Sequence, residues 1–270
     1  MSYKNIYGPH VLVTGASSGI GASCARLFAE NGCHVTGVSR HLEEKEVPIG
    51  QGSLKTKQLD ITDEAAVHAF IEDMPEINIA VLCAGMGVAG PVEELPMEMT
   101  RAQMEVNYFG TLHVVQAVLK KMRLQKKGLI LIVGSIAGRV SIPMQSQYSS
   151  SKYALEALCD SIRMEMKPYG VRAAILEPGD TKTGFTAARK TCAQEDSPYR
   201  ETLLKSIEKM SRDEQNGKSP DTVARAALSL AGKKNPPVRV PIGADYRLLM
   251  VLLRILPDRL REKIITALYL

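Results

Sequence analysis

Short aliphatic runs punctuate the chain, and between them lie longer segments whose apolar positions recur every three or four residues. The runs at 11–14, 33–38, 54–59, 77–82, 129–133 and 171–176 read as strands. The stretches between them read as helices at 20–31, stopped by Gly32, at 63–74 with Thr62 as N-cap, at 97–123 and at 148–167. Residues 129–133 are wholly Leu, Ile and Val, the pattern of a strand buried on both faces. Strand and helix alternate, so the pattern predicts an α/β fold with a doubly wound parallel sheet, and one domain over 1–270. After Pro178 the periodicity weakens. The polar, partly helical segment 184–217 is bracketed by glycines and reads as a lid over a pocket, with a plain surface insertion as the alternative. The tail, 246–270, carries two amphipathic pieces. The first holds Leu248, Leu249, Leu252, Leu253, Ile255 and Leu256. The second follows Pro257, with Asp258 as its cap and Leu260, Ile264, Ile265 and Leu268 on one side. Packing on the body or on another subunit is the favoured reading of this tail, and contact with a membrane surface is the other.

Composition narrows the classes. The chain has 270 residues, 45% of them hydrophobic, enough for a sizeable core. Its net charge of +5 comes without any long basic block, which argues against a nucleic-acid partner. Cysteines at 24, 33, 83, 159 and 192 form no C-x-x-C pair, and histidines at 10, 34, 41, 68 and 113 have no ligand spacing, so no metal is expected. The start of the chain has no long apolar stretch, and the longest apolar run, 248–253, has six residues where about 20 are needed to span a bilayer. A cytoplasmic location without integral membrane insertion is the expectation.

The candidate chemistry begins at T-G-A-S-S-G-I-G, residues 14–21, directly behind the first strand. Gly15 allows a sharp exit from the strand, Gly19 leaves no Cβ between backbone and ligand, and Gly21 lets the next helix approach the sheet. The helix start then offers free N–H groups to a pyrophosphate, and Thr14, Ser17 and Ser18 can add hydroxyls. A plain strand-to-helix loop is the alternative. Further on, Tyr148 and Lys152 lie four apart at the start of a helix and share one face. A tyrosine titrates near ~10, and a neighbouring ammonium, with a positively charged cofactor ring bound beside it, would lower that value enough for acid–base work. The serines between them, 149–151, read as helix-start and packing residues.

The T-G-x-x-x-G-I-G turn resembles the cofactor turn of the short-chain dehydrogenases/reductases, a family built on the Rossmann fold, and the resemblance continues in order over about two thirds of the chain. Leu59-Asp60-Ile61-Thr62 is similar to the family's acidic motif after the third strand. Ala84-Gly85 is similar to the end of N-N-A-G, whose two asparagines are here Leu82 and Cys83; that departure puts a local strand brace in doubt. Asn107, Ser135, Tyr148 and Lys152 fall where the family has its catalytic four, and Glu177-Pro178-Gly179 with Thr183 resembles its P-G-x-x-x-T element. The resemblance implies cofactor contacts from Gly15, Ser17, Ser18, Gly19, Ile20, Gly21, Ser39, Arg40, Asp60, Ile61, Ala84, Gly85, Tyr148, Lys152, Pro178, Gly179, Thr181 and Thr183. It implies that Tyr148 is the acid/base, that Lys152 tunes it and anchors the ribose, that Ser135 holds the substrate oxygen, and that Asn107 supports a proton relay. It also implies a homodimer or homotetramer.

At the end of the second strand, Ser39 stands where an NAD site carries an acidic residue, and Arg40 follows. A serine hydroxyl and a guanidinium both suit a 2′-phosphate, so NADP(H) is the expected cofactor. Met86, Val88, Ile136, Val140, Ile142, Met144 and Phe185 would give the substrate pocket an apolar wall. Gly-Pro-Val-Glu-Glu at 90–94 and Ser-Lys-Tyr-Ala-Leu-Glu-Ala-Leu at 151–158 are similar to the hydroxysteroid and retinol dehydrogenase branch. The expected activity is hydride transfer between nicotinamide and a small hydrophobic alcohol or ketone. A non-catalytic NADP(H)-sensing regulator on the same fold, and an epimerase or dehydratase, are the alternatives.

Overall fold

A computed structural model describes residues 6–192 and 194–270. Residues 1–5, part of the stretch read above for a leader, and Ala193 of the 184–217 segment lie outside the described residues. In chain order the elements are β1 (His10–Thr14), α1 (Gly19–Glu30), β2 (His34–Ser39), β3 (Lys45–Ile49), β4 (Gly52–Gln58), α2 (Glu64–Asp73), β5 (Ile79–Leu82), β6 (Val88–Ala89), α3 (Met97–Met104), α4 (Gly110–Gln125), β7 (Gly128–Val133), α5 (Ser146–Glu165), β8 (Val171–Pro178), α6 (Phe185–Ala188), β9 (Lys190–Thr191), α7 (Arg200–Gln215), α8 (Pro220–Ala231), β10 (Arg239–Ile242), α9 (Ala244–Ile255) and α10 (Asp258–Tyr269).

Eight strands form the central sheet in the order β10-β8-β7-β5-β1-β2-β4-β3. Every neighbouring pair is parallel except β3 with β4. Alternating side chains of each inner strand feed two cores. Val11, Val13, Ile79, Val81, Leu129, Leu131, Ala174 and Leu176 face Phe28 of α1 and Val223, Ala227 and Leu230 of α8. Leu12, Ala80, Leu82, Ile130, Ile132, Ala173 and Ile175 face the other layer, with Val67 and Ile71 of α2, Val114 and Val118 of α4, and Leu155 and Ile162 of α5. Helices cover both faces, which is why the inner strands are apolar throughout. The winding starts at β1, moves outward through β2 and β4, and then returns to place β5 on β1's other side. The order therefore reverses between β1 and β5, and a crevice opens at the carboxyl ends of those strands.

Several local expectations are corrected. Residues 45–49 form a strand that the pattern does not reveal; it pairs antiparallel with β4 through a tight turn at Gly50, whose φ is +58°. Pro48 and the polar exposure of this edge hide it. The N-cap of α2 is Asp63, which accepts from the Ala66 N–H, because the Thr62 hydroxyl and N–H both donate to Asp60 instead. The helix expected over 97–123 is broken by a π-helical turn at Glu105–Phe109. In the tail, Asp258 is not the cap of α10 but its first residue. Pro257 precedes it, and its carboxylate pairs with Arg261.

The tail packs on the body. Met250 and Leu253 of α9 bury against Ile136 and Val140, with Tyr246, Leu249, Leu256 and Ile265 around them. Two of the expected pocket-wall residues, Ile136 and Val140, are thus committed to this contact. The outer face of α9 leaves Leu248, Val251, Leu252 and Ile255 exposed. No helix among the described residues is long and apolar enough to cross a membrane.

Candidate active site

The glycine turn follows β1 and is held by close approaches. Gly15 has φ +66°, and a Cβ there would lie 2.9 Å from the Ala84 backbone. A Cβ on Gly21 would lie 2.1 Å from the Gly15 carbonyl oxygen, so only glycine lets α1 start this near the strand. The bare Cα of Gly19 faces the Thr183 side chain, 3.2 Å from where a Cβ would be. Ser18 is the N-cap of α1 but makes no side-chain capping bond, and it is exposed with Ser17. First-turn N–H groups are thus left for an anion, and the turn fits the pyrophosphate of a dinucleotide. Thr14 is buried and its hydroxyl is engaged with the end of β5, where it accepts from Cys83 N–H at 3.1 Å and Ala84 N–H at 3.2 Å. Those two bonds brace β1 to the end of β5, where the N-N-A-G asparagines are missing. Cys83 packs on the core beside Cys24, and that contact together with burial pushes its thiol well up, as befits a small apolar side chain rather than a nucleophile.

At the end of β2, Ser39 donates to Ser17 at 3.1 Å, and Arg40 is exposed with no carboxylate within ion-pair distance among the described residues. Asp60 is half-buried, with one carboxylate oxygen holding Thr62, and Ile61 is buried beside it. Ala84 and Gly85 lie past the end of β5. A Cβ on Gly85 would sit 3.4 Å from the Asn107 amide oxygen and 3.9 Å from Lys152 Nζ, so the motif ends beside the candidate catalytic groups.

Ser135 follows β7 and caps a short 3₁₀ turn, its hydroxyl accepting from the Ala137 N–H at 3.0 Å. Gly138 lets that turn press on α5, for a Cβ there would meet the Lys152 carbonyl oxygen at 2.9 Å. From α5, Tyr148 and Lys152 point to the same end of the crevice. Lys152 Nζ donates to the Val133 carbonyl at 3.0 Å and lies 5.7 Å from the centre of the Tyr148 ring. Burial pushes the Tyr148 phenol up to about 12, and its hydrogen bond with Ser135 pulls the other way. Burial also brings the Lys152 ammonium down to about 8. The lowering of the phenol expected from the Tyr–Lys spacing is not found in the protein groups alone: desolvation dominates, and the influences that oppose it come from Ser135 and Arg189 rather than from Lys152.

Asn107 sits in the π-helical turn and is fully buried. Its amide accepts from Met86 N–H at 2.8 Å and donates to Met86 carbonyl at 3.1 Å and to the Ser151 hydroxyl at 3.0 Å. Ser151 in turn donates to the Tyr148 carbonyl at 2.7 Å, so it joins Asn107 to the helix turn that bears the tyrosine. It is thus more than the packing residue that its sequence context suggests. Nothing in its three-serine run marks it, since its link to Asn107 exists only in the folded chain.

The 184–217 segment lies over this group. The Phe185 ring is 5.6 Å from the Tyr148 ring, β9 pairs with β6, and Tyr199 donates to Glu93 at 2.7 Å. Beneath α6, the buried Arg189 guanidinium pairs with Glu214 of α7, which also accepts from Thr186. A groove of about 430 Å³ runs beside it, lined by Pro91, Val92, Glu93, Pro143, Met144 and Tyr199. Met144 has φ +61°, a strained conformation for a non-glycine residue, and its carbonyl holds the Gly90 N–H. A larger cavity, about 590 Å³, lies along the β2–β4 side of the sheet near Phe70 and is remote from these residues.

Behind the site, Glu156 and Glu177 share a buried position between Arg139, 3.1 Å from Glu177, and Arg239, 2.8 Å from Glu156. Burial, first, and the neighbouring Glu177 raise the Glu156 carboxyl far above its ordinary value of 4.5, to about 8. A raised folded value means that its contribution to stability is complete below about 4.5 and is lost as pH rises through about 8. Resistance to urea is expected to fall across that window, and Glu156→Gln is expected to flatten the fall.

The profile of the short chain dehydrogenase family matches residues 9–193. The chain is 31% identical over 259 residues to the 3-ketodihydrosphingosine reductase of Bacteroides thetaiotaomicron, covering 93% of this chain and 94% of that protein. Its fold matches a short chain dehydrogenase from Burkholderia cenocepacia in complex with NADP, with a TM-score of 0.76, 25% identity and all of both chains covered. It also matches a short chain dehydrogenase/reductase from Burkholderia phymatum in complex with NAD, with a TM-score of 0.78, 20% identity and 93% of each chain covered, a likeness of fold. This chain belongs to the short-chain dehydrogenase/reductase family. It is an oxidoreductase of alcohols and ketones, with a nicotinamide dinucleotide as its cofactor.

Proposed function

We propose that this protein is an NADP(H)-dependent reductase or dehydrogenase of a hydrophobic ketone or alcohol. The observation that carries the reading is the meeting of Ser135, Tyr148 and Lys152 at the crevice beside the glycine turn, under the apolar ring of Phe185. The dinucleotide, when bound, supplies or takes up the hydride. The Ser135 hydroxyl, already in contact with the Tyr148 phenol, holds the substrate oxygen. Tyr148 gives that oxygen a proton in reduction and removes it in oxidation. Lys152 holds the ribose hydroxyls and, through its charge, the phenol's proton balance. Asn107, with Ser151, fixes the turn that supports the relay. Segment 184–217 acts as the lid that excludes water.

The choice of NADP(H) is supported by Ser39 and by the exposed Arg40. Arg40→Ala is expected to lower the preference for NADPH over NADH, measured as the ratio of kcat/KM values, by about 10- to 100-fold, the effect of removing a charged hydrogen bond. Equal use of both cofactors by the wild type would end this part of the reading. A hydrophobic substrate is supported by Phe185 and by the apolar groove residues Val92, Pro143 and Met144. NADPH oxidation with a panel of steroid, retinoid, long-chain acyl and sugar carbonyls tests it: turnover confined to the lipophilic members is expected, and turnover confined to sugars refutes it.

Exposed Phe109, Leu124, Tyr153 and Met164 on and beside α4 and α5 favour a homodimer or homotetramer, which light scattering on the purified chain tests. A cytoplasmic location is part of the same reading. Contact with a membrane surface is a second reading of the tail, favoured by the exposed Leu248, Val251, Leu252 and Ile255. Sedimentation with lipid vesicles, with and without residues 246–270, decides it, and binding that is unaffected by the deletion ends it.

A further inference from the structure

The loop 178–183 leaves the end of β8 and runs past the glycine turn, reaching it through Thr183 against Gly19. Two elements from outside that stretch hold the loop in place. One is the segment at Gly217 and Lys218: the Lys218 N–H donates to the Asp180 carbonyl at 3.0 Å, and its own carbonyl accepts from the Lys182 N–H at 2.9 Å. The other is Tyr246, in the first turn of α9. Its ring lies on Gly179 so closely that a Cβ there would be 2.1 Å from the ring carbon bearing the hydroxyl. Its hydroxyl accepts from the Asp180 N–H at 3.0 Å and donates to the Asp180 carboxylate at 2.5 Å. The two elements are themselves joined. Lys218 Nζ stands 4.9 Å over the centre of the Tyr246 ring and pairs with Asp245.

We propose that Tyr246 is a positioning residue for the cofactor: by fixing Gly179 and Asp180 it sets the shape of the loop that faces the dinucleotide, so the C-terminal tail contributes to cofactor affinity without touching the cofactor. The proposal rests on the reading of this crevice as a nicotinamide-dinucleotide site. Glycine at 179 is what admits the ring, and the Asp180 side chain and backbone give one hydroxyl both a donor and an acceptor. The packing of Met250 and Leu253 behind Tyr246 holds α9 in register for this contact.

Tyr246→Phe keeps the ring on Gly179 and removes only the two hydrogen bonds to Asp180. The experiment uses the full chain and reads the Kd for NADPH by calorimetry, kcat and KM with the best ketone, the melting temperature, and amide hydrogen exchange over residues 178–183 without cofactor. The variant is expected to bind NADPH about three- to tenfold more weakly. Exchange over 178–183 should be faster, while kcat at saturating cofactor and the melting temperature stay near wild type. Wild-type NADPH binding with wild-type exchange overturns the proposal. So does a fall in melting temperature with exchange raised throughout the chain, which marks a merely structural role. Failure of the wild type to bind either NADPH or NADH would instead overturn the reading of the site, and the proposal with it.

Discussion

Replacing Tyr148 with phenylalanine is expected to lower kcat by about 10²–10⁴-fold, the usual contribution of one positioned acid–base group. The substitution is conservative in shape. The ring keeps its contact with Phe185, 5.6 Å away, and the loss is confined to the hydroxyl that meets Ser135. NADPH binding, read by calorimetry, is expected to change little, because Lys152, proposed to hold the ribose, keeps its bond to the Val133 carbonyl. Turnover that survives the substitution would refute the role given to Tyr148, and a chain that keeps its biological effect without turnover would point to a sensor. The pH profile carries a second mark. With burial holding the phenol at about 12 in the protein alone, the group is protonated at neutral pH, ready to donate in the reducing direction.

The second large effect concerns the pair under α6. Arg189 exposes 2% of its side chain and Glu214 exposes 17%, so Glu214→Ala leaves a guanidinium almost wholly out of water without its carboxylate. Breaking one partner of such a pair costs about 3–5 kcal/mol. The urea midpoint should fall accordingly, with activity falling alongside it, because Phe185 on the same short helix covers Tyr148. Replacing both residues together, Arg189→Leu with Glu214→Leu, should restore most of the stability, since no buried charge remains. Equal losses in the single and double variants would show that the pair does not hold the segment.

The parts of this site that could be read from sequence are those set by local rules. A strand followed by closely spaced glycines and a helix has few geometric solutions, so the shape of the turn after β1 was legible. Tyr148 and Lys152 were legible because a four-residue spacing on one helix puts them together whatever the rest of the chain does. Ser135 and Asn107 were reachable only through family resemblance, since their value depends on which strand end and which helix turn they share with Tyr148. The bonds that Ser151, Met86 and the Thr14 hydroxyl make had no signal: each joins residues more than 20 apart, and only the folded sheet supplies the partner. Edge strand β3 was hidden because an exposed strand has no buried face to impose a period of two. The break at 105–109 was hidden for the opposite reason, as apolar residues continue through it.

That break has a consequence for how this protein tolerates change. A π-helical turn holds one residue more than a regular helix of the same rise. Removing any one residue between Glu105 and Phe109 would let α3 and α4 merge into an ordinary helix, which backbone hydrogen bonding alone would favour. The merger would leave α3 and α4 in nearly the same orientation about the axis, because the wide turn is what absorbs the extra residue. The change would fall on the turn itself, which carries Asn107 and its bonds to Met86 and Ser151. Insertions and deletions in this stretch are thus filtered by chemistry rather than by foldability: a shortened chain can be a sound helical protein and a poor enzyme.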